Sequence, residues 1–227
     1  LQYYRPLDAG MLLGLLVTTT IWVGAVFALR RHSTLNDAAL FCAALVGYLT
    51  WLIGGWSWDL APVLVYGGYT FLWPRPDQIQ AHPHEAYTVV AIAGPGLLLL
   101  IAAAGLHHPE WLLPYSVYWA IQLAMLGLIF FRETRPDVGR AQRIWRSSVV
   151  SWALVLSTYV IVEGASTASL LAALGGLAAT ALAMLFFDGV LPPVGSGRSE
   201  PFPWLMRSII GVAGALLGSI ALGLGGV

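Results

Sequence analysis

The stretch Gly54–Tyr87 reads GGWSWDLAPVLVYGGYTFLWPRPDQIQAHPHEAY and separates two apolar runs that are each long enough to cross a bilayer. It contains Asp59 beside two tryptophans, and Glu85 directly before the next apolar run. Polar groups held at membrane depth are costly, so acids beside apolar helices mark a candidate functional site. We therefore interpret the rest of the chain as a scaffold that holds this segment.

The composition indicates an integral, multi-pass protein of a plasma or inner membrane. Of the 227 residues, 58% are hydrophobic and 10% are charged, and the mean hydropathy is +0.77. Soluble domains carry about 25% charged residues. The net charge of zero argues against a nucleic-acid partner. We expect a lipophilic substrate and membrane lipid as partners, and an oligomer or a partner membrane chain is left open.

The sequence argues against a bound retinal and against a bound metal ion. All eleven basic residues are arginines, so a retinal Schiff base, which needs a lysine amine, cannot form. His82 and His84 could hold a metal, but a closed site needs three or four ligands. His107 and His108 lie at the other end of a predicted span, roughly 30 Å away, and cannot complete that site. We predict no metal and no cofactor.

The apolar pattern predicts an all-α, polytopic transmembrane helix bundle that forms one domain over residues 1–227. Gly214 and Gly218 form a GxxxG pair in the last span, which indicates a close-packing face. The predicted spans are 10–29, 38–55, 87–106, 114–131, 147–163, 167–187 and 205–226.

Residues 59–73 leave the span count open, because this segment reads either as an eighth, short span or as a re-entrant segment. With seven spans, nine arginines lie on one side of the membrane and two on the other. With eight spans, one arginine stands against ten. Both arrangements satisfy the positive-inside rule.

An internal repeat favours seven spans. Residues 10–106 and 147–226 each read as helix, helix, acid, Pro/Gly-rich linker and helix, and 114–131 would link the two units. Internal repeats with sites at their interface recur in membrane proteins. This arrangement places four acids on one face of the bundle: Asp59, Glu85, Asp188 and Glu200.

Asp59 follows Trp58, and Asp188 follows Phe187, each at the end of an apolar run. Burial disfavours the ionised form of such a carboxyl, which can then act as an acid. The alternative for both is an interfacial residue that caps a helix or pairs with an arginine. For Glu85, the alternative is an ordinary acid in the first turn of a helix.

Aromatic residues surround these acids. They form either a belt at the membrane interface or a pocket whose ring faces stabilise a cation. The candidates for substrate binding are Trp56, Trp58, Tyr66, Tyr69, Trp73 and Tyr87.

Trp58-Asp59 at a helix end, then aromatics, then Pro83-His84-Glu85 before the next helix, resembles the integral-membrane lycopene cyclases of the heterodimeric or fused type. That family has two three-helix units, a linking helix, and a proline–x–acid–acid signature in each unit. Here Ala86 replaces the second acid, and after Phe187-Asp188 the second copy is reduced to Ser199-Glu200-Pro201. Trp58-Asp59 together with the loop GRAQRIW also resembles the transmembrane terpene cyclases of meroterpenoid pathways.

Both resemblances imply an isoprenoid or carotenoid cyclase that needs no redox cofactor. Asp59 or Glu85 would protonate a polyene, the resulting cation would close a ring, and Asp188 would be the partner carboxyl. The alternative is a non-catalytic subunit of a membrane complex or a small transporter, in which these acids lie at an interface or along an ion pathway.

Overall fold

The computed structural model describes residues 9–29, 35–73, 86–190 and 202–223, and this part of the chain is built from helices. A π-helical segment, Trp152–Leu156, joins two of them into one continuous rod, and a short 3₁₀ turn covers Pro109–Trp111. The helices are α1 (Ala9–Leu29), α2 (Asp37–Gly54), α3 (Trp56–Leu72), α4 (Ala86–Leu106), α5 (Leu112–Thr134), α6 (Arg140–Ser151), α7 (Ser157–Glu163), α8 (Thr167–Val190) and α9 (Phe202–Gly223).

Within the described residues, five helical segments are long and apolar enough to cross a membrane. A further apolar segment, Met206–Gly218, is shorter. The prediction of an all-α protein with membrane-suited helices is therefore confirmed, whereas the count of seven or eight spans stays a prediction. The five segments are Asp37–Gly54, Ala86–Leu106, Pro109–Thr134, Arg140–Glu163 and Thr167–Val190.

The ambiguous segment of the sequence forms a regular helix, α3. Gly55 separates it from α2 and has a φ of 72°, a conformation that glycine adopts without steric cost. The N–H of Gly55 donates to the carbonyl of Trp51 and closes the end of α2. Because only one residue connects α2 and α3, which pack against each other, the chain reverses direction here.

The centre of the bundle is α5. Every residue from Leu112 to Leu128 is buried, and α5 packs against α3, α4, α6, α8 and α9. The prediction assigned residues 114–131 to a linking helix between two units. In the structure this segment is the core around which the other helices are arranged.

The two ends of α5 show where the candidate acids lie. Trp58, next to Asp59, packs its ring against Tyr115 near the start of α5, with ring centroids 4.9 Å apart. Asp188 lies 4.0 Å from Arg132 near the end of α5. At a rise of 1.5 Å per residue, Tyr115 and Arg132 are about 25 Å apart along the helix. We call these levels the Gly55 end and the arginine end of the bundle.

The predicted placement of Asp59 and Asp188 on one face is therefore wrong. The expected repeat treated residues 56–86 as a linker, which would keep both acids on the same side. In the structure these residues include α3, which runs back along α5 from the Gly55 end. Asp59 then lies at the Gly55 end and Asp188 at the arginine end.

Candidate functional site

A cavity of about 500 Å³ lies among helices α1 to α5, and its walls are almost wholly apolar. This volume lies within the range of roughly 300–1,000 Å³ that is typical of small-molecule sites. One face of α3 forms a wall, because positions three or four residues apart point to the same side of a helix. That face carries Asp59, Pro62, Val63, Tyr66 and Tyr69.

The opposite wall comes from α2, with contributions from α1, α4 and α5. Leu40, Ala44, Gly47 and Trp51 recur on one face of α2 and line the cavity. The indole ring of Trp22 on α1 occupies the space where a side chain at position 47 would begin. Glycine at this position therefore allows α1 to close one side of the cavity.

Asp59 is the one acid that lines the cavity in the described part of the chain. Its Oδ1 atom is buried and has no hydrogen-bond partner there. Burying a carboxylate without a cation or a donor costs several kcal/mol, and such a group usually becomes neutral instead. The position therefore suits a carboxyl group that carries a proton.

The six predicted aromatic residues separate into four groups. Tyr66 and Tyr69 line the cavity. Trp73 is buried in the helix packing, with only 4% of its surface exposed. Trp56 and Tyr87 are 61% and 52% exposed and lie on the outside of the bundle, as expected for interfacial aromatics. The sixth candidate, Trp58, is half-buried beside the cavity against Tyr115.

Asp188 lies in an ion-pair network at the arginine end. The Nε–H of Arg140 donates to Oδ2 of Asp188 over 2.6 Å, and Arg132 lies 4.0 Å from Oδ1. Asp188 is thus a carboxylate paired with arginine, which was the alternative interpretation of this residue. It does not line the cavity. Glu85 lies outside the described residues, so its predicted role stays a prediction.

The sequence interpretation missed two aromatic residues of α5 at this site. Trp119 lines the cavity, and Tyr115 links it to Trp58 through ring centroids 6.1 and 4.9 Å apart. Both side chains are buried, and the hydroxyl group of Tyr115 lies beside Trp119 and Thr50. The run Tyr-Ser-Val-Tyr-Trp within an apolar span was the signal that could have indicated them.

No metal site is found in the part of the chain that the structure describes, since no group of three or more His, Cys, Asp or Glu residues comes together there. No family model, no curated protein and no solved structure matches this chain. The resemblance to the lycopene cyclases therefore stays a prediction.

Proposed function

We propose that this chain is a membrane-embedded isoprenoid cyclase, of the carotenoid-cyclising type, in which Asp59 donates the proton that starts ring closure. One observation carries the proposal: the Asp59 carboxyl lines an apolar cavity with Oδ1 buried and unpartnered among the described residues. In such surroundings the carboxylate form is disfavoured, so the carboxyl group keeps the proton that a general acid has to transfer.

The reaction conserves atoms and electrons. Asp59 transfers its proton to the terminal double bond of a polyene, which forms a C–H bond and a tertiary carbocation. A neighbouring double bond attacks this cation, which forms the ring C–C bond and moves the positive charge into the ring. The Asp59 carboxylate then removes a ring proton, which restores a double bond and the neutral acid. The net change is an isomerisation without an external oxidant or reductant.

The remaining walls of the cavity suit the cationic intermediate. Tyr66, Tyr69 and Trp119 present aromatic rings to the cavity, and an aromatic face attracts a cation by roughly 2 kcal/mol or more when water is absent. Apolar walls also limit capture of the cation by water, which would give an alcohol instead of a ring. In this scheme a single carboxyl group acts first as acid and then as base, so no second acid at Asp188 is required.

Pigment analysis in a lycopene-accumulating host tests this function. We expect the wild-type protein to convert the linear carotenoid to a cyclic product. Asp59→Asn keeps the size of the side chain but removes the transferable proton, and should abolish the product. Losing a general acid lowers a rate by about 10²–10⁴-fold.

The matched control is Asp137→Asn, the same substitution at an exposed position between α5 and α6. It should leave product formation unchanged, and immunoblots of the membrane fraction should show equal amounts of all three proteins. An unchanged pigment profile with well-expressed wild-type protein would count against the proposal. A cyclic product from Asp59→Asn would remove Asp59 from the chemistry.

A further inference from the structure

Pro95 lies inside α4 and takes away the helical donor of one backbone carbonyl group. In an α-helix the N–H of each residue donates to the carbonyl of the residue four positions earlier. Proline has no N–H, so the carbonyl of Ala91 loses this donor, and the proline ring presses against the same carbonyl and bends the helix. An unmade backbone hydrogen bond is costly inside a membrane, so a neighbouring helix has to supply a donor.

Two neighbouring helices supply hydroxyl donors at this point. Ser208 on α9 donates its Oγ–H to the carbonyl of Ala91, the group that Pro95 leaves without a helical donor. Tyr118 on α5 donates its Oη–H to the carbonyl of Ile92, the next one along α4. Both donors belong to buried side chains. We call these two hydrogen bonds the α4 clamp, because they tie the bend of α4 to α5 and α9.

The bend divides α4 into two halves with different surroundings. After Pro95, α4 is anchored in the core, where a Cβ atom at Gly96 would lie 3.0 Å from Cζ2 of Trp119. Before Pro95, α4 forms a wall of the cavity. The α4 residues that line the cavity all lie in this first half: Thr88, Val89, Ile92 and Ala93.

The angle at Pro95 therefore decides where this wall stands. The first half of α4, residues 86–94, is about 13 Å long at the usual helical rise. A change of about 20° at the bend, the size of an ordinary proline kink, would move its far end by about 4 Å. That displacement equals about one carbon–carbon contact distance, which is enough to close or open the space for a hydrocarbon chain.

We infer that Ser208 and Tyr118 are positioning residues of the cavity: they hold the first half of α4 at the bend that leaves room for a hydrocarbon end group beside Asp59. The inference rests on the proposed function for its ligand, a linear carotenoid, and it adds the residues that set the shape of the site. Both hydroxyl groups are bonded to α4 itself, so they act through the wall and not on the ligand.

Binding of lycopene to the purified protein in phosphatidylcholine nanodiscs tests this inference. The pigment retained above that of empty nanodiscs is measured by absorbance over a range of concentrations, and thermal unfolding is recorded on the same samples. Ser208→Ala and Tyr118→Phe each remove one hydroxyl group of the clamp. We expect each to lower the affinity about three- to tenfold, the value of one hydrogen bond.

The matched control is Ser157→Ala on α7. The exposed hydroxyl group of Ser157 donates to the carbonyl of Leu154, within the same helical rod and away from α4. This variant loses a hydroxyl group by the same substitution as Ser208→Ala, and it should bind lycopene with the wild-type affinity.

Pro95→Ala separates positioning from a general loss of stability. Alanine supplies an N–H for the carbonyl of Ala91 and favours the helix, so this variant should unfold at the wild-type temperature or above it. The wall would straighten, and the affinity should fall at least as far as in Ser208→Ala. In the Pro95→Ala background the Ser208 hydroxyl group has no missing donor to replace. Adding Ser208→Ala there should change the affinity less than twofold.

Three results would overturn the inference: wild-type affinity in both hydroxyl variants, wild-type affinity in Pro95→Ala, or losses that add in the double variant. Absence of lycopene binding by the wild type would overturn it as well. Pro95→Ala provides the result if neither hydroxyl variant folds.

These outcomes are distinct from failure of the proposed function, because binding requires no proton transfer. If lycopene bound with the expected variant effects but no cyclic product formed, the clamp would be right and the cyclase proposal wrong. If a cyclic product formed while all clamp variants bound as the wild type does, the reverse would hold.

Discussion

Trp73 follows α3 and packs its indole ring against Gly127 of α5, which gives a residue-scale test of the fold. A Cβ atom at position 127 would lie 2.7 Å from Cζ2 of Trp73, which is buried with 4% of its surface exposed. We predict that Gly127→Ala lowers the free energy of unfolding by about 1–3 kcal/mol, the usual cost of overpacking. Thermal unfolding in detergent measures the change.

The matched control is Gly105→Ala on α4, where a Cβ atom would meet nothing within 4 Å. Alanine is favoured over glycine in a helix by roughly 0.5–1 kcal/mol, so this variant should be as stable as the wild type or slightly more stable. If the two variants unfolded at the same temperature, the packing of α3 against α5 described here would be incorrect.

At the residue scale, the sequence indicated that Asp59 belongs to a functional site, but it did not indicate the aromatic residues of α5 beside it. An acid at the end of an apolar run is visible in the sequence because its burial is costly. Trp119 gave only a weak signal, because a run of aromatic residues such as Tyr115–Trp119 is ordinary within an apolar span. Its place in the cavity wall depends on packing against Gly96 and Tyr115, which is a fact of tertiary structure.

At the scale of elements, α9 docks through its glycines, as the GxxxG pair predicted. A Cβ atom at Gly214 would lie 2.7 Å from Cδ1 of Ile121 on α5, and one at Gly218 would lie 3.0 Å from the Cβ of Ala179 on α8. The Cβ of Ala179 cannot move without its backbone. We therefore predict that Gly218→Ile separates α9 from α8 and lowers the free energy of unfolding by about 3 kcal/mol or more.

The control lies next to this position. Leu217 is 66% exposed on the outer face of α9, so Leu217→Ile should unfold at the wild-type temperature in the same detergent. Circular dichroism during heating would follow both variants. A Gly218→Ile protein as stable as the wild type would show that α8 and α9 are not in close contact.

The sequence alone could not show that residues 59–73 form a helix, nor that α5 lies at the centre of the bundle. Residues 59–73 include Pro62, Gly67 and Gly68, which lower the apparent helix signal, and their helix is supported by packing of Gly68 against Leu123 and Leu154. The central position of α5 was also hidden. A helix that is apolar on all sides can face lipid or lie in a protein core, and its sequence does not distinguish the two.

At the scale of the whole molecule, two of the predicted acids, Asp59 and Asp188, lie at opposite ends of the bundle. The arginine distribution satisfied the positive-inside rule for seven or eight spans, so charge alone could not fix the direction of α3. The direction follows from the turn at Gly55 and from two contacts along α5, Trp58 with Tyr115 at the start of α3 and Trp73 with Gly127 after its end. Asp188 thus stabilises the arginine end, and Asp59 remains as the acid of the cavity.

Chemical modification determines which carboxyl group of the bundle is neutral and reachable from lipid. Dicyclohexylcarbodiimide partitions into membranes and reacts with protonated carboxyl groups, and peptide mass spectrometry locates the adduct. We expect the peptide containing Asp59 to be modified and the peptide containing Asp188, which is paired with Arg140, to stay unmodified. Asp59→Asn should remove the adduct. An unmodified Asp59, or equal modification of Asp59 and Asp188, would show that Asp59 is not the neutral acid of the cavity.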